Sequence, residues 1–409
     1  MGRHLILTLA AGLILSACTI AEPPEQEAPG IVRIEVPSDA ESMSPNLAVG
    51  PDGTVVLSWL ESSDPDHLLN YSELRGGSWG PARTIARSDN WFINWADFPS
   101  VVPISEKLWA AHWLDSQAEA WYAYNAVVAL STDAGQTWSE PINPHLDGTD
   151  TEHGFVTLYP DGAGVGLVWL DGRNMVNEVT DDVAASGMTL RGASLSPDLV
   201  ISNEQLVDEL ICDCCQTDVA ITNDGPVAIY RNRTSDEIRD IYATRHDGKR
   251  WQEGKAVAND NWNIPGCPVN GPAIDADRNT VVIAWFTAAN DVSRVQVVFS
   301  DDAAESFSAP IDVVSDDTIG RIALAMLPDG DVAVSWLRKA SIDSAELCVR
   351  RVSADGKLGP IKVVSVGDDV PRFSFPRMVA KGQNLILAWT RRFEDSSHII
   401  TAKVSIDIL

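Results

Sequence analysis

A segment of about eighteen residues recurs seven times along this chain, and no other feature restricts the fold so strongly. Each copy holds an extended run of alternating apolar residues, a turn that often contains Asp-Gly, and a second extended run that ends in an aromatic residue. Successive copies begin 50 to 61 residues apart, which suits a four-stranded antiparallel unit. The pattern predicts an all-β chain that forms one β-propeller, with each copy as the inner hairpin of a blade. The copies begin at Ser44, Phe98, Gly154, Cys215, Asn270, Gly320 and Phe375.

The two ends of the chain are expected to complete the ring. Seven copies predict seven blades, with six as the alternative, but the last unit has room for only about three strands before Leu409. Residues 31–36 alternate like the outer strand at 360–364 and lead into an inner strand in the same way. We therefore predict that the N-terminal and C-terminal strands pair, and that residues 31–409 form a single domain without a free sheet edge.

An eight-residue motif at 131–138 connects these repeats with a known family. It reads Ser-Thr-Asp-Ala-Gly-Gln-Thr-Trp, which matches the Asp-box pattern Ser/Thr-x-Asp-x-Gly-x-x-Trp at an expected outer hairpin turn. Degenerate copies stand at equivalent points before Trp79, Trp251 and Phe307. The chain thus resembles the sialidase-type (BNR, Asp-box) repeat family over nearly all of residues 31–409, and the resemblance implies a sialidase-like propeller. The box itself is structural, because its Asp and Ser satisfy turn backbone and its Gly accepts unusual dihedral angles.

The resemblance does not extend to the catalytic motifs of exo-sialidases. Members of that family use an arginine triad for the substrate carboxylate, a Tyr/Glu pair as nucleophile and an Asp as acid. Their opening Phe-Arg-Ile-Pro motif has no counterpart here, since the nearest positions read Met-Ser-Pro from Met43 and Asp-Phe-Pro from Asp97. The last unit also offers no tyrosine for the nucleophile. An exo-α-sialidase-type glycoside hydrolase is therefore one functional hypothesis among several, because the fold alone does not decide function.

The first thirty residues are predicted to direct and tether the protein. A basic start precedes an apolar run from Leu5 to Leu15, which is too short to span a membrane. The tetrad Leu-Ser-Ala-Cys that ends at Cys18 resembles the lipobox of bacterial lipoproteins, so we expect residues 1–18 to be a lipoprotein signal peptide and Cys18 to carry lipid. Residues 19–30 are expected to form a flexible tether. Thr19 after the cysteine favours the outer membrane, facing the periplasm or the cell surface; the alternative is an ordinary cleaved signal peptide.

The net charge excludes some classes of partner, and the predicted export determines the redox environment of the cysteines. The formal net charge of −28 argues against nucleic acid and against adsorption to anionic lipid, because both require clustered Lys and Arg. We expect a lipid-anchored monomer of the cell envelope that binds a glycan or another small-molecule ligand. Export places the remaining cysteines in an oxidising compartment, where disulfides persist.

Four cysteines gather in two neighbouring inlet loops, the loops that lead into the inner strand of each unit. Cys212, Cys214 and Cys215 precede one inner strand, and Cys267 precedes the next. In an extended segment, Cys212 and Cys214 would share a face and Cys215 would point away. Two interpretations stay open: one or two disulfides that join adjacent blades, or a copper or zinc site that His153 assists.

Arginines and tryptophans near the same face are candidates for ligand binding. Arg231, Arg321 and Arg372 belong to different units and could clamp a carboxylate, for which the guanidinium fork is suited; the alternative is pairing with surface acids. Trp95 and Trp262 lie outside the repeat in loops and are candidates for stacking on a ligand.

Acidic residues of the inlet and outlet loops are catalytic candidates. Asp97, Glu152 and Asp171 could form acid and base pairs for glycoside hydrolysis, although solvated loop acids are the commoner outcome. Three functional hypotheses follow: a tethered propeller that binds a ligand or a soft metal at its axial funnel, a sialidase-type hydrolase, and an envelope scaffold for protein partners.

Overall fold

The computed structural model describes residues 29–38, 41–117, 122–176, 187–315, 317–341, 344–368, 375–392 and 396–409. The predicted signal peptide, Cys18, most of the predicted tether and Arg372 lie outside these residues. Within them, no helix is long and apolar enough to cross a membrane.

Seven antiparallel sheets form the blades of a β-propeller, as the repeat predicts. Blades 1 to 4 follow one another along the chain. Blade 1 holds β2 (Ser42–Val49), β3 (Val55–Ser63), β4 (Asp66–Arg75), β5 (Ser78–Trp79) and β6 (Arg83–Ser88); blade 2 holds β7 (Ser100–Pro103), β8 (Trp109–Ser116) and β9 (Tyr124–Ser131). Blade 3 holds β10 (His153–Asp161), β11 (Gly164–Asp171), β12 (Met188–Leu195) and β13 (Ile201–Ile211); blade 4 holds β14 (Asp218–Thr222), β15 (Gly225–Arg231), β16 (Ile241–Arg245) and β17 (Lys255–Ala256).

The remaining three blades are regular four-stranded sheets. Blade 5 holds β18 (Ala273–Asp277), β19 (Thr280–Thr287), β20 (Arg294–Ser300) and β21 (Ile311–Ser315); blade 6 holds β22 (Thr318–Met326), β23 (Val332–Lys339), β24 (Ser344–Val352) and β25 (Lys362–Asp368); blade 7 holds β26 (Arg377–Lys381), β27 (Asn384–Arg392), β28 (Ser397–Ser405) and β1 (Ile31–Ile34). Three short 3-10 helices occur in the described residues, at Arg173–Val176, Ala289–Asp291 and Ile406–Ile408.

The N-terminal strand closes the ring. β1 pairs antiparallel with β28, with Ile31 opposite Val404 and Ile34 opposite Thr401. Ile31 and Ile34 are buried, so the pairing contributes core contacts as well as backbone hydrogen bonds. The predicted closure and the count of seven blades are confirmed, and the six-bladed alternative is wrong.

The hydrophobic core lies between neighbouring blades. One aromatic side chain near the end of each inner hairpin packs there and is buried, and each such ring removes about 150–250 Å² of surface from water. These residues are Trp59, Trp113, Trp169, Tyr230, Trp285, Trp336 and Trp389. Around them pack the alternating aliphatic residues of the inner and middle strands, as Val297 and Val334 do between blades 5 and 6. The period-two pattern thus encodes the interfaces on both faces of every blade.

The Asp-box at 131–138 forms a tight turn held by its own side chains. Ser131 Oγ accepts the Gly135 amide at 2.8 Å, and the Asp133 carboxylate accepts the Thr137 amide and hydroxyl. The degenerate copy in blade 5 repeats these bonds through Ser300 and Asp302. This motif therefore stabilises outer hairpins.

Bulges at the start of three inner strands shape the mouth of the channel. Ser44, Phe155 and Arg321 adopt positive φ of 56°, 51° and 59° at register shifts in β2, β10 and β22. In each case a side chain of the preceding blade accepts the backbone N–H. The three acceptors are Thr390 Oγ1, Asp97 Oδ1 and Asn270 Oδ1.

Candidate functional site

The inner strands surround an axial channel with a cavity of about 560 Å³. The inlet loops converge at one mouth of this channel. There the Gln216 side chain donates to the Ala96 carbonyl oxygen at 2.6 Å and accepts the Gly271 amide at 3.2 Å. This amide ties together the inlet loops of blades 2, 4 and 5, so residues distant in sequence meet at the mouth.

The four inlet-loop cysteines come together beside Gln216. A disulfide joins Cys214 in blade 4 to Cys267 in blade 5. The Cys212 Sγ lies 3.3 Å from the Cys215 Sγ and 4.0 Å from the Cys214 Sγ. Cys212 and Cys215 are buried free thiols, whereas Cys267 is exposed. The structure thus places a buried dithiol directly against a disulfide that solvent reaches.

The sequence expectation that Cys215 points away from Cys212 is wrong. The segment is not extended, because Asp213 and Cys214 form a tight turn between β13 and β14. This turn brings positions i and i+3 together, which period-two alternation does not allow.

Cationic side chains surround the buried dithiol. The Arg239 Nη1 donates to the Cys212 Sγ at 3.2 Å, and Arg231 is close enough to act on the same sulfur. The hydrogen bond from the Cys215 thiol, with smaller contributions from Arg231 and Arg239, lowers the pKa of Cys212 to about 6 despite burial. Burial raises the pKa of Cys215 well above its usual value. One thiol of the pair is therefore poised as a thiolate and the other as a proton carrier.

A soft metal at this cluster stays a sequence prediction. The sulfurs of Cys212, Cys214 and Cys267 lie within 4.8 Å of one another, but two of them are joined as a disulfide. Copper or zinc binds thiolates, so such a site requires that disulfide to be reduced. His153, proposed as an assisting ligand, lies instead among residues of blades 2 and 3, as described below.

Two of the three predicted arginines, Arg231 and Arg321, lie within the described residues, and Arg231 donates its hydrogen bonds to backbone carbonyl oxygens. Arg231 is 1 % exposed and donates to the carbonyl oxygens of Asn270, Arg239 and Phe286. It links blades 4 and 5. Because its donors are already engaged, its guanidinium has little capacity left for a ligand carboxylate.

Arg321 packs against Trp95, whereas Trp262 packs against Arg231. The Arg321 guanidinium lies 4.3 Å from the Phe375 ring centre and 4.5 Å from that of Trp95. Burial lowers its pKa to about 10. Trp262 is buried under Arg231, whose Cζ is 5.0 Å from the ring centre. Trp95 is partly exposed and keeps surface at the mouth, whereas Trp262 is part of the core.

Two of the three predicted acids share one phenol. The Tyr124 hydroxyl lies 3.0 Å from Asp97 Oδ2 and 2.7 Å from Glu152 Oε1. Burial raises the pKa of Asp97 to about 7 and that of Glu152 to about 8. Since one phenol has a single hydrogen, it cannot donate to both carboxylates, and one acid in this group holds a proton near neutral pH. Gly154 provides the space, because a Cβ there would meet Asp97 Oδ2 at 1.8 Å.

Asp171, the third predicted acid, is fully engaged. Its Oδ1 accepts the Arg173 amide and Nε, and its Oδ2 accepts the Trp169 Nε1 and the Arg173 Nη2 at 2.8 and 2.7 Å. The Arg173 hydrogen bonds and the positive charges nearby hold the pKa of Asp171 below its usual value although burial opposes them. These four donors leave the carboxylate no free acceptor position for catalysis.

His153 lies beside Asp171 in a cluster that also holds His145 and Asp147. The two imidazole rings are parallel and 3.8 Å apart, and Asp147 Oδ2 is 3.1 Å from His153 Nε2 and 3.6 Å from His145 Nδ1. Burial and the neighbouring His153 lower the pKa of His145 to about 4. The spacing His-x-Asp-x5-His in one inlet loop is the sequence signal that would have indicated this cluster.

Solved structures similar to this chain include sialidases, and the similarity concerns the fold alone. No protein-family model matches the chain, and no curated protein matches it by sequence. A protein of unknown function from Dyadobacter fermentans is 14 % identical, with a TM-score of 0.51 over 93 % of this chain and 100 % of that one. The sialidase of Trypanosoma rangeli is 12 % identical, with a TM-score of 0.47 over 92 % of this chain and 60 % of that one. A puromycin-hydrolyzing peptidase from Mycobacterium tuberculosis is 12 % identical, with a TM-score of 0.49 over 91 % of this chain and 55 % of that one. The chain therefore spans less than two thirds of the sialidase and of the peptidase.

Proposed function

We propose that this protein is a lipid-anchored, sialidase-like propeller of the bacterial cell envelope that carries out thiol–disulfide exchange at the mouth of its axial channel. One observation carries the proposal: the Cys212 thiol, held beside Arg239 and hydrogen-bonded to Cys215, lies 4.0 Å from the Cys214 sulfur of a disulfide. A thiolate attacks a disulfide sulfur, so this arrangement places nucleophile and electrophile next to each other. The lipid anchor rests on the lipobox at Cys18, and the BNR relationship on the Asp-box copies.

The reaction moves two electrons from the buried pair to the exposed pair. The Cys212 thiolate attacks the Cys214 sulfur, the Cys212–Cys214 bond forms, and Cys267 leaves as a thiolate. Cys215 then gives up its proton, the exposed Cys267 thiolate takes up a proton from solvent, and the Cys215 sulfur attacks the Cys212 sulfur. The Cys212–Cys215 bond forms, and Cys214 leaves as a thiolate. The buried dithiol is oxidised to a disulfide and the exposed disulfide is reduced, with no other reagent consumed.

The exposed pair is where the substrate reacts. Cys267 is open to solvent and Cys214 is partly exposed, while Cys212 and Cys215 are buried. The reduced Cys214 and Cys267 pair can reduce a disulfide of an exported protein or of a small thiol compound. Its disulfide form can oxidise a dithiol of the same class. The substrate proposed is therefore a thiol or disulfide of the oxidising compartment.

Disulfide mapping tests this proposal on the full-length protein. We expect acid-quenched, alkylated protein to contain both a Cys214–Cys267 and a Cys212–Cys215 linkage after equilibration with a glutathione redox buffer. Cys212→Ser removes the nucleophile and should leave Cys214–Cys267 as the sole linkage. Cys348→Ser is the matched control, because Cys348 is a buried free thiol on β24 outside the cluster. A wild-type map that keeps only Cys214–Cys267 in every buffer contradicts the proposal.

A second measurement separates exchange from metal binding and tests the anchor. Elemental analysis with thiol counting on anaerobically prepared protein should find free thiols at Cys212 and Cys215 without bound copper or zinc at the sulfurs. Stoichiometric metal that is lost in Cys214→Ser would favour the metal site instead. Intact-mass measurement of membrane-extracted protein should show acyl chains on Cys18, and their absence would remove the anchor from the proposal.

Glycoside hydrolysis is the second candidate, and the position of Tyr124 between Asp97 and Glu152 favours it. The raised pKa values of both carboxyls provide a proton donor near neutral pH, as a general acid requires. Hydrolysis of a fluorogenic sialoside that is lost in Tyr124→Phe and in Arg321→Ala would support this activity. Wild-type protein that leaves the sialoside intact would eliminate sialidase activity and leave the exchange proposal untouched.

A further inference from the structure

One inlet loop, residues 143–152, brings three metal-binding side chains together above blade 3. His145 and Asp147 lie in this loop, and His153 follows as the first residue of β10. One donor atom from each of the three lies within 4.8 Å of the others. All three side chains are at least nine-tenths buried. These residues have no part in the thiol chemistry proposed above.

Neighbouring groups orient two of these side chains. The Thr149 amide and hydroxyl both donate to Asp147 Oδ1, which leaves Oδ2 directed at the histidines. The Thr151 carbonyl oxygen lies 3.1 Å from His153 Nδ1, and a carbonyl only accepts, so Nδ1 carries the hydrogen. Nε2 of His153 then faces Asp147 Oδ2. A backbone carbonyl that fixes one imidazole nitrogen and leaves the other toward a carboxylate is the usual support of a metal-binding histidine.

The contact between His153 and Asp147 requires a cation. With Nδ1 protonated, the neutral ring presents a lone pair at Nε2, and Asp147 Oδ2 presents another at 3.1 Å. Either a proton or a metal ion must lie between these two acceptors. A proton on His153 would satisfy that contact alone. It would not explain why a second buried imidazole stacks on the first, with His145 Nε2 making no hydrogen bond within the described residues.

We propose that His145, Asp147 and His153 form a binding site for a divalent transition-metal ion of borderline softness, for which Zn(II) is the probe. Two imidazoles and one carboxylate form a ligand set that suits zinc. Asp171 is not the fourth ligand, because Trp169 and Arg173 already fill its acceptor positions. The fourth position is left for water or a small ligand.

Metal entry changes the geometry of the rings. Imidazole nitrogens bind metals in the ring plane, and the rings of His145 and His153 are parallel to within 2°. At least one ring therefore rotates when both bind the same ion. The Arg173 guanidinium lies 3.4 Å from Asp147 Oδ2 and also pairs with Asp171 and Glu204.

Equilibrium dialysis of the full-length protein against Zn(II), followed by Co(II) spectroscopy, tests the site. We expect one equivalent of Zn(II) to bind, and binding to weaken by on the order of 100-fold or more in His145→Ala and in Asp147→Asn, each of which removes one ligand. His67→Ala, a histidine on β4 in blade 1, is the matched control. Bound Co(II) should show the visible bands of nitrogen and oxygen ligation without sulfur-to-cobalt charge transfer.

Each outcome decides the proposal. Zinc bound equally by wild type, His145→Ala and Asp147→Asn overturns it, as does a cobalt spectrum with thiolate charge transfer, which would place the ion at the cysteines. Absence of zinc binding also overturns it. Loss of the site in both variants, with circular dichroism unchanged and Cys212→Ser still binding one equivalent, supports it. The cysteine variant also keeps this result separate from the exchange proposal.

Discussion

Replacing Cys215 with alanine removes the thiol 3.3 Å from Cys212, which is the largest cause of the low pKa of Cys212. At pH 7, a thiol with a pKa of about 6 is roughly nine-tenths thiolate, whereas an ordinary cysteine with a pKa of about 8.5 is roughly 3 % thiolate. Arg231 and Arg239 stay in the variant and continue to favour the anion. We therefore expect the pKa of Cys212 to rise toward the ordinary value and to stay below it.

The ultraviolet absorbance of the thiolate, followed during a pH titration, measures this change without requiring access to the buried sulfur. Cys212→Ser supplies the blank and should lack the acidic inflection. Cys215→Ser is the matched variant, because its hydroxyl can still donate to Cys212 and should shift the inflection less than alanine does. Cys348 does not interfere, since burial raises its pKa to about 12. Identical titrations of wild type and Cys215→Ala would refute the assignment of the low pKa to this dithiol contact.

Three further predictions concern the frame that holds the site. Asp97, with a pKa raised to about 7, keeps a proton in the folded state that the unfolded chain loses near pH 4, so its contribution to the free energy of unfolding should fall as pH rises between these values, by up to about 1.4 kcal/mol per pH unit. Asp97→Asn should reduce this dependence in urea unfolding, and Glu152, whose pKa is raised to about 8, contributes to the part that remains. Gly154→Ala should lower the free energy of unfolding by about 1–3 kcal/mol, because the new Cβ clashes with Asp97. Gly266→Ala is the control and should lower it far less in the same assay, because a Cβ there meets nothing within 4 Å. A chain that starts at Glu35 loses the buried Ile31 and Ile34, so its free energy of unfolding should be at least about 3 kcal/mol lower than that of a chain that starts at Pro29. Equal free energies of unfolding for the two chains would contradict ring closure through β1.

The fold could be predicted because the same requirement, burial of both faces of a blade, applies to all seven blades. Each blade must bury both faces, so alternation and hairpin turns recur with a period that the chain shows plainly, and even the missing strand could be assigned to residues 31–36. The candidate site residues do not recur from blade to blade, so no repeat in the sequence indicates them. The turn at Asp213 and Cys214 overrides alternation, and its effect on the contact between Cys212 and Cys215 depends on dihedral angles that composition does not reveal.

Other site residues were missed because their sequence context is that of ordinary structure. Tyr124 begins β9 and looks like any aromatic residue of a buried strand, yet its hydroxyl joins two carboxyl groups from different blades. His145 and Asp147 stand in a loop without periodicity, so only their short spacing to His153 in the sequence could have indicated the cluster that the structure shows. Arg239 is close to Cys212 because the loop between β15 and β16 folds back over blade 4.

The candidate site residues lie at positions where this propeller departs from its own repeat. The inter-blade aromatics are nearly invariant from unit to unit, whereas the inlet loops of blades 3, 4 and 5 hold the histidine cluster, the cysteine turn and Cys267. Most of an inlet loop lies outside the paired strands, so its sequence can change at many positions without loss of the ring. Gln216 ties the inlet loops of blades 2, 4 and 5, and the disulfide joins those of blades 4 and 5, so the cysteine loops have a fixed geometry that loops ordinarily lack. Reduction of the Cys214–Cys267 disulfide therefore has two effects. It supplies the exposed thiols, and it removes the covalent bond between the inlet loops of blades 4 and 5 at the mouth of the channel.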